Sequence, residues 1–123
     1  MINWIKGNTC SMLVTVNKNY ITLNNSTANY FKEYKWCLIG IDNEKKELII
    51  KPISKNDIDL HIYPSENLTK INFGNGYVRI ANKNMMQALN DVVIYPVESN
   101  TKYSATFDDK ENMLVVDLNR KGD

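Results

Sequence analysis

The stretch LVTVNKNYITL, Leu13 to Leu23, returns 57 positions later as KINFGNGYVRI, Lys70 to Ile80. Each copy is an alternating run, three turn residues, a Tyr and a second alternating run. The shift superimposes Val14 on Ile71, Val16 on Phe73, Tyr20 on Tyr77, Ile21 on Val78 and Leu23 on Ile80, and the turn Asn17-Lys18-Asn19 on Gly74-Asn75-Gly76. Period-two alternation marks half-buried strands, and a short Asn- or Gly-rich turn between two of them makes a hairpin. A hairpin alone leaves its apolar face in water, so it needs further strands to be stable. A chain of 123 residues supports one modest core rather than two. The duplicated hairpins are therefore expected to share that core.

The similarity continues beyond the hairpins. NNSTANYFKEY and ANKNMMQALND follow the two copies, and both read as short helices. Ala28, Phe31 and Tyr34 recur at a spacing of three, while Met85, Ala88 and Leu89 fall at i, i+3 and i+4. Asn24 or Asn25, and Asn82 in the copy, suit the N-cap. A second hairpin follows each helix, from Trp36 to Ile53 and from Tyr103 to Leu118, now at an offset of 66. It sets Asp42 on Asp108, Leu48 on Leu114, Ile49 on Val115 and Ile50 on Val116. The change of offset implies nine extra residues, Val92 to Asn100, read as an edge strand because Pro96 is not tolerated centrally.

The expected architecture is thus one mainly β domain with two short helices, closed as a small barrel. Repeat one covers residues 12–53, a linker 54–68 and repeat two 69–118. Ile21, Leu23, Phe31, Ile39, Ile41, Leu48 and Ile50, with Val78, Ile80, Leu89, Phe107, Leu114 and Val116, are its predicted core. Tyr20, Tyr77, Trp36, Phe31 and Phe107 also fall on the inward pattern.

Composition excludes more than it assigns. A formal net charge of +1 gives no bulk field for any partner class. The N-terminal MINWIKGNTC has no apolar run after a basic segment, and no window approaches a membrane span, so a cytoplasmic protein without a membrane contact is expected. Cys10 and Cys37 have no CxxC spacing and read as reduced thiols. His61, the single histidine, reads as structural or exposed. Asp57 and Asp59 lack a third metal ligand. No G-x-S-x-G, H-E-x-x-H or Walker loop occurs. The chain is expected to be no enzyme and to carry neither metal nor cofactor.

The order hairpin, I-x-L-x, short helix, hairpin, seen in Ile21-Thr22-Leu23-Asn24 followed by Phe31 and in Val78-Arg79-Ile80-Ala81 followed by Leu89, resembles the AbrB/SpoVT family of swapped-hairpin barrels, in a tandem-repeat form as in MraZ. The chain departs from that pattern at Asn24 and Ala81, where the family usually has Pro. It departs again at Ala28 and Met85, where the family often has Arg. The resemblance implies a swapped-hairpin barrel built from two internal repeats and a DNA-binding role in transcription regulation. It implies a face made of the first hairpin turns and the helix starts, which here carry Lys18, Asn19, Thr22 and Lys32 in one copy and Asn75, Arg79 and Lys83 in the other. Arg and Lys would meet phosphates and Asn adenine edges of double-stranded DNA. Residues 12–53 carry six Lys against four acids and residues 69–118 five basic residues against six acids, so any such face depends on clustering rather than total charge. The alternative is a protein-interaction or self-association module on the same barrel.

Overall fold

A computed structural model describes residues 2, 12–92 and 101–121, with only the backbone of Arg120 and Lys121. Among these residues nine strands form a single antiparallel sheet: β1 (Leu13–Val16), β2 (Ile21–Leu23), β3 (Trp36–Asp42), β4 (Glu47–Ile53), β5 (Leu68–Lys70), β6 (Asn72–Phe73), β7 (Val78–Ile80), β8 (Thr101–Asp108) and β9 (Met113–Lys121). Their order is β5-β3-β4-β9-β8-β1-β2-β7-β6. Its first and last members are separated in the chain only by Ile71, so the sheet curls into a nearly closed barrel. Around it the hairpins come from alternate parts of the chain: β3–β4, β8–β9, β1–β2 and β6–β7.

Alternation decides which side chains fill the interior. Val14, Val16, Ile21, Leu23, Leu48, Ile50, Val78, Ile80, Leu114 and Val116 are all buried in one cluster. Ile39, Ile41 and Phe107 pack against that cluster while remaining partly exposed. The helices cover it. α1 (Asn25–Ala28), which runs into a 3-10 turn over Asn29–Phe31, contributes Ala28 and Phe31; α3 (Lys83–Val92) contributes Met85, Met86 and Leu89. Both starts are capped by asparagine. The Asn24 Oδ1 accepts from the Thr27 N–H at 3.2 Å and the Asn82 Oδ1 from the Met85 N–H at 3.0 Å.

The two long hairpins turn alike. The Asp42 carboxylate accepts from the N–H groups of Glu44 and Lys45, both at 3.0 Å, and Asp108 does so from Lys110 at 3.0 Å and Glu111 at 3.2 Å. Each turn ends in a left-handed residue, Lys46 at φ 55° and Asn112 at φ 52°.

Several expectations need correction. Among the described residues there are three helices rather than two, because residues 55–59 of the linker form α2 (Lys55–Asp59). The Ser54 hydroxyl accepts from the Asp57 N–H at 3.1 Å and so starts it. Trp36, at the first position of β3, is 37% exposed, and Tyr20 and Tyr77 stand on the outer face rather than inward, Tyr20 half-buried and Tyr77 43% exposed. Phe73, set by the 57-residue shift on fully buried Val16, is 51% exposed. β6 pairs with β7 alone and follows the break at Ile71, whereas β1 is flanked on both sides by β2 and β8. Val92 closes α3, and the rest of the expected edge strand, together with Trp4 and Cys10, lies outside the described residues.

Candidate nucleic-acid interface

Ile21, Leu23, Val78 and Ile80 point into the barrel, which turns Thr22 and Arg79 outward on neighbouring strands. The register sets these two directly opposite each other. It extends the pair into a row across five strands, because Thr15 faces both Thr22 and Lys102 and Asn72 faces Arg79. Residues opposite one another share a face, so Lys102, Thr15, Thr22, Arg79 and Asn72 stand side by side on the outer surface. Three strand intervals separate the two cations, a Cα span of ~14 Å with two hydroxyls between them. Lys102 escapes sequence reasoning because nothing local announces that β1 pairs with β8.

Tyr20 and Tyr77 lie two residues before Thr22 and Arg79, hence on the same face. Each is diagonal to the central residue of the opposite strand, within reach of a long side chain. For Tyr20 that residue is Arg79, whose guanidinium carbon sits 5.4 Å from the ring centroid, a cation–π contact. For Tyr77 it is the short Thr22. The Tyr77 ring instead lies back over its own turn, against Gly74, where an added Cβ would collide with it. Asn17 holds the matching place in the first turn and has such a Cβ. Both turns close through the same hydrogen bond, Asn17 N–H to the Tyr20 carbonyl and Gly74 N–H to the Tyr77 carbonyl, each 2.9 Å. Tyr20, Arg79 and Tyr77, with Thr15, Thr22, Leu23 and Asn24, line a depression of 310 Å³.

Of the seven residues anticipated as a DNA face, the register sets Thr22 and Arg79 in this row. Lys18, Asn19, Lys32, Asn75, Arg79 and Lys83 are exposed and Thr22 is half-buried. Because Ile21 faces Ile80, the Lys18–Asn19 turn and the Lys83 helix start belong to one end of the β2–β7 pair. Because Leu23 faces Val78, the Asn75 turn and the start of α1 belong to the other end. Lys32 follows the 3-10 turn after α1. Thr22 and Arg79 occupy the middle.

Other chemistry has little to work with. The Cys37 thiol is buried, donates to the Thr69 carbonyl at 3.5 Å, and is pushed by desolvation up to about 12, far from a reactive thiolate. His61 is exposed in a left-handed turn conformation at φ 53°. Among the described residues no three His, Cys, Asp or Glu side chains gather as a metal site. Among the same residues no helix is long and apolar enough to cross a membrane.

No protein family, curated protein or solved structure matches the chain.

Proposed function

We propose that this chain is a small cytoplasmic DNA-binding regulator whose barrel is made of two interleaved copies of one swapped-hairpin unit, residues 12–53 and 69–118. The observation that carries the reading is the register at Thr22 and Arg79. A shift of 57 equates these positions, and it also equates Ile21 with Val78 and Leu23 with Ile80. Ile21 faces Ile80 and Leu23 faces Val78, so the pairing is symmetric about Thr22–Arg79. Under the shift of 66 the same holds where β4 meets β9. Ile49 faces its counterpart Val115, flanked by Leu48 with Val116 and Ile50 with Leu114. Two self-equivalent pairs on separate strand junctions support one twofold axis through both. The matching Asp42 and Asp108 turns support it too.

Such an axis suits duplex DNA, whose backbone has a dyad of its own. Arg79 and Lys102 near the axis, and Lys18 and Lys83 at one end, would neutralise phosphates; Asn19 and Asn75, in the two turns, would reach adenine edges. Thr22 in place of a second Arg makes the face asymmetric and its preferred site only loosely palindromic. The reading calls for no catalytic group, metal or cofactor. Its test is binding of mixed-sequence duplex DNA at two salt concentrations. Phosphate contacts require tighter binding at low salt. Absence of salt-sensitive binding contradicts the reading.

A protein-interaction module on the same barrel is favoured by a different surface. Leu60 and Ile62 are 63% and 54% exposed in the segment after α2. An open groove of 630 Å³ beside α3 has Leu38, Ile49 and Ala88 in its lining. Loss of a co-purifying or titrated protein partner on Leu60→Ser, Ile62→Ser, with duplex binding absent, would select this reading.

A further inference from the structure

Tyr77 is an exposed aromatic ring braced on one side by its own turn. Its inner face rests on Gly74, and the diagonal position from which Arg79 reaches Tyr20 is held, for Tyr77, by the short Thr22. The two walls of the depression lean apart. Tyr77 lies back toward its turn, and Arg79 toward Tyr20 at the opposite end of the strand pair. Between them, over Thr22 and Thr15, the surface is open. Tyr77 and Arg79 are two residues apart in extended chain, about 7 Å between Cα atoms. That is roughly twice the ~3.4 Å at which successive bases follow each other along a strand. A planar ring stacked on Tyr77 would have Thr22 and Asn24 beside it and the cations Arg79 and Lys102, on one row, for its phosphates.

We infer that this depression takes an unpaired nucleobase, so that the β1–β2–β7–β6 face binds single-stranded nucleic acid more tightly than intact duplex. The inference rests on the reading of this face as the nucleic-acid surface. A paired base is already stacked on both sides and must leave the helix to reach Tyr77. A single strand pays no such cost, and a sheet face with an aromatic platform and cations is the common way to hold one. The braced ring loses little freedom on stacking, and a glycine at position 74 is what permits the brace.

The experiment compares fluorescence anisotropy of labelled single-stranded DNA, single-stranded RNA and duplex DNA of one mixed sequence, at one salt concentration. The proteins are wild type, Tyr77→Ala, Tyr77→Phe and Gly74→Ala, each matched for melting temperature. Wild type is expected to favour a single strand over the duplex, with quenching of tyrosine emission on binding. Tyr77→Ala is expected to lose about 5- to 150-fold in single-strand affinity, while Tyr77→Phe, which keeps the ring, stays near wild type. Gly74→Ala, which displaces the ring without removing it, is expected to fall between them. The RNA and DNA arms tell which backbone is preferred. Salt-sensitive duplex binding with no single-strand preference and an unaffected Tyr77→Ala overturns the inference and leaves the duplex reading standing. Equal losses in Tyr77→Ala and Tyr77→Phe overturn it as well, since the hydroxyl rather than the ring would then be responsible. Binding of neither form overturns both.

Discussion

Thr22 and Arg79 face each other across β2 and β7 on the outer surface, with Ile21 opposite Ile80 and Leu23 opposite Val78 on the inner one. Both the proposed twofold and the candidate interface hang on this pair. Opposed residues in an antiparallel pair have Cα atoms about 4.5–5.5 Å apart, inside the range a disulfide spans. Thr22→Cys with Arg79→Cys, in a Cys10→Ser background, is expected to form an intramolecular disulfide on mild oxidation, read as protected thiols by alkylation and mass spectrometry. Thr15→Cys with Arg79→Cys, one strand further apart, is expected to stay reduced. A register moved by one residue would send one side chain inward and leave the Thr22→Cys, Arg79→Cys pair reduced as well.

The interior makes a second claim. Leu48 and Leu114 are fully buried on β4 and β9, at positions related by the shift of 66. Truncating either to Ala is expected to cost about 2–5 kcal/mol, a large part of a small domain's stability, measured from the urea midpoint. Unchanged midpoints would mean that the inward faces of these strands are wrongly assigned.

What the sequence made legible, and what it did not, follows from the range of each interaction. Period-two alternation in Leu13–Leu23 and Trp36–Ile53 located strands because it depends only on which neighbours are apolar. Asn24 and Asn82 were legible as caps because the donors they satisfy lie three residues on. α2 carried the same kind of signal in Ser54 and Asp57, but its short polar turn has no apolar stripe to raise it above a linker. Lys102 was missed because only the pairing of β8 with β1 brings it beside Thr15. The fate of the two tyrosines turned on Gly74 against Asn17 and Arg79 against Thr22. These differences acquire meaning only once the strands are in register.

Alkaline pH offers a third test. Burial raises Cys37 from its ordinary 9.0 to about 12 and raises Tyr103 above its ordinary 10.0. The unfolded chain releases the Cys37 proton near pH 9 while the folded chain keeps it, so the native state binds more protons in this window. The stabilisation is therefore whole below about pH 9 and is lost as pH rises toward 12, with a slope of up to about 1.4 kcal/mol per pH unit. A Cys37→Ala variant is expected to give a flatter alkaline stability profile than wild type in denaturant titrations across that range. Parallel profiles would show that the thiol is not held protonated by burial.

The most direct test of the account is the salt dependence of duplex DNA binding by wild type and by an Arg79→Ala, Lys83→Ala double variant. Each phosphate contact contributes close to one unit to the slope of log affinity against log salt. The account predicts a clear negative slope for wild type and a slope shallower by about two units for the variant, at equal melting temperature. No salt-sensitive binding by wild type, or the same slope for both proteins, would contradict it.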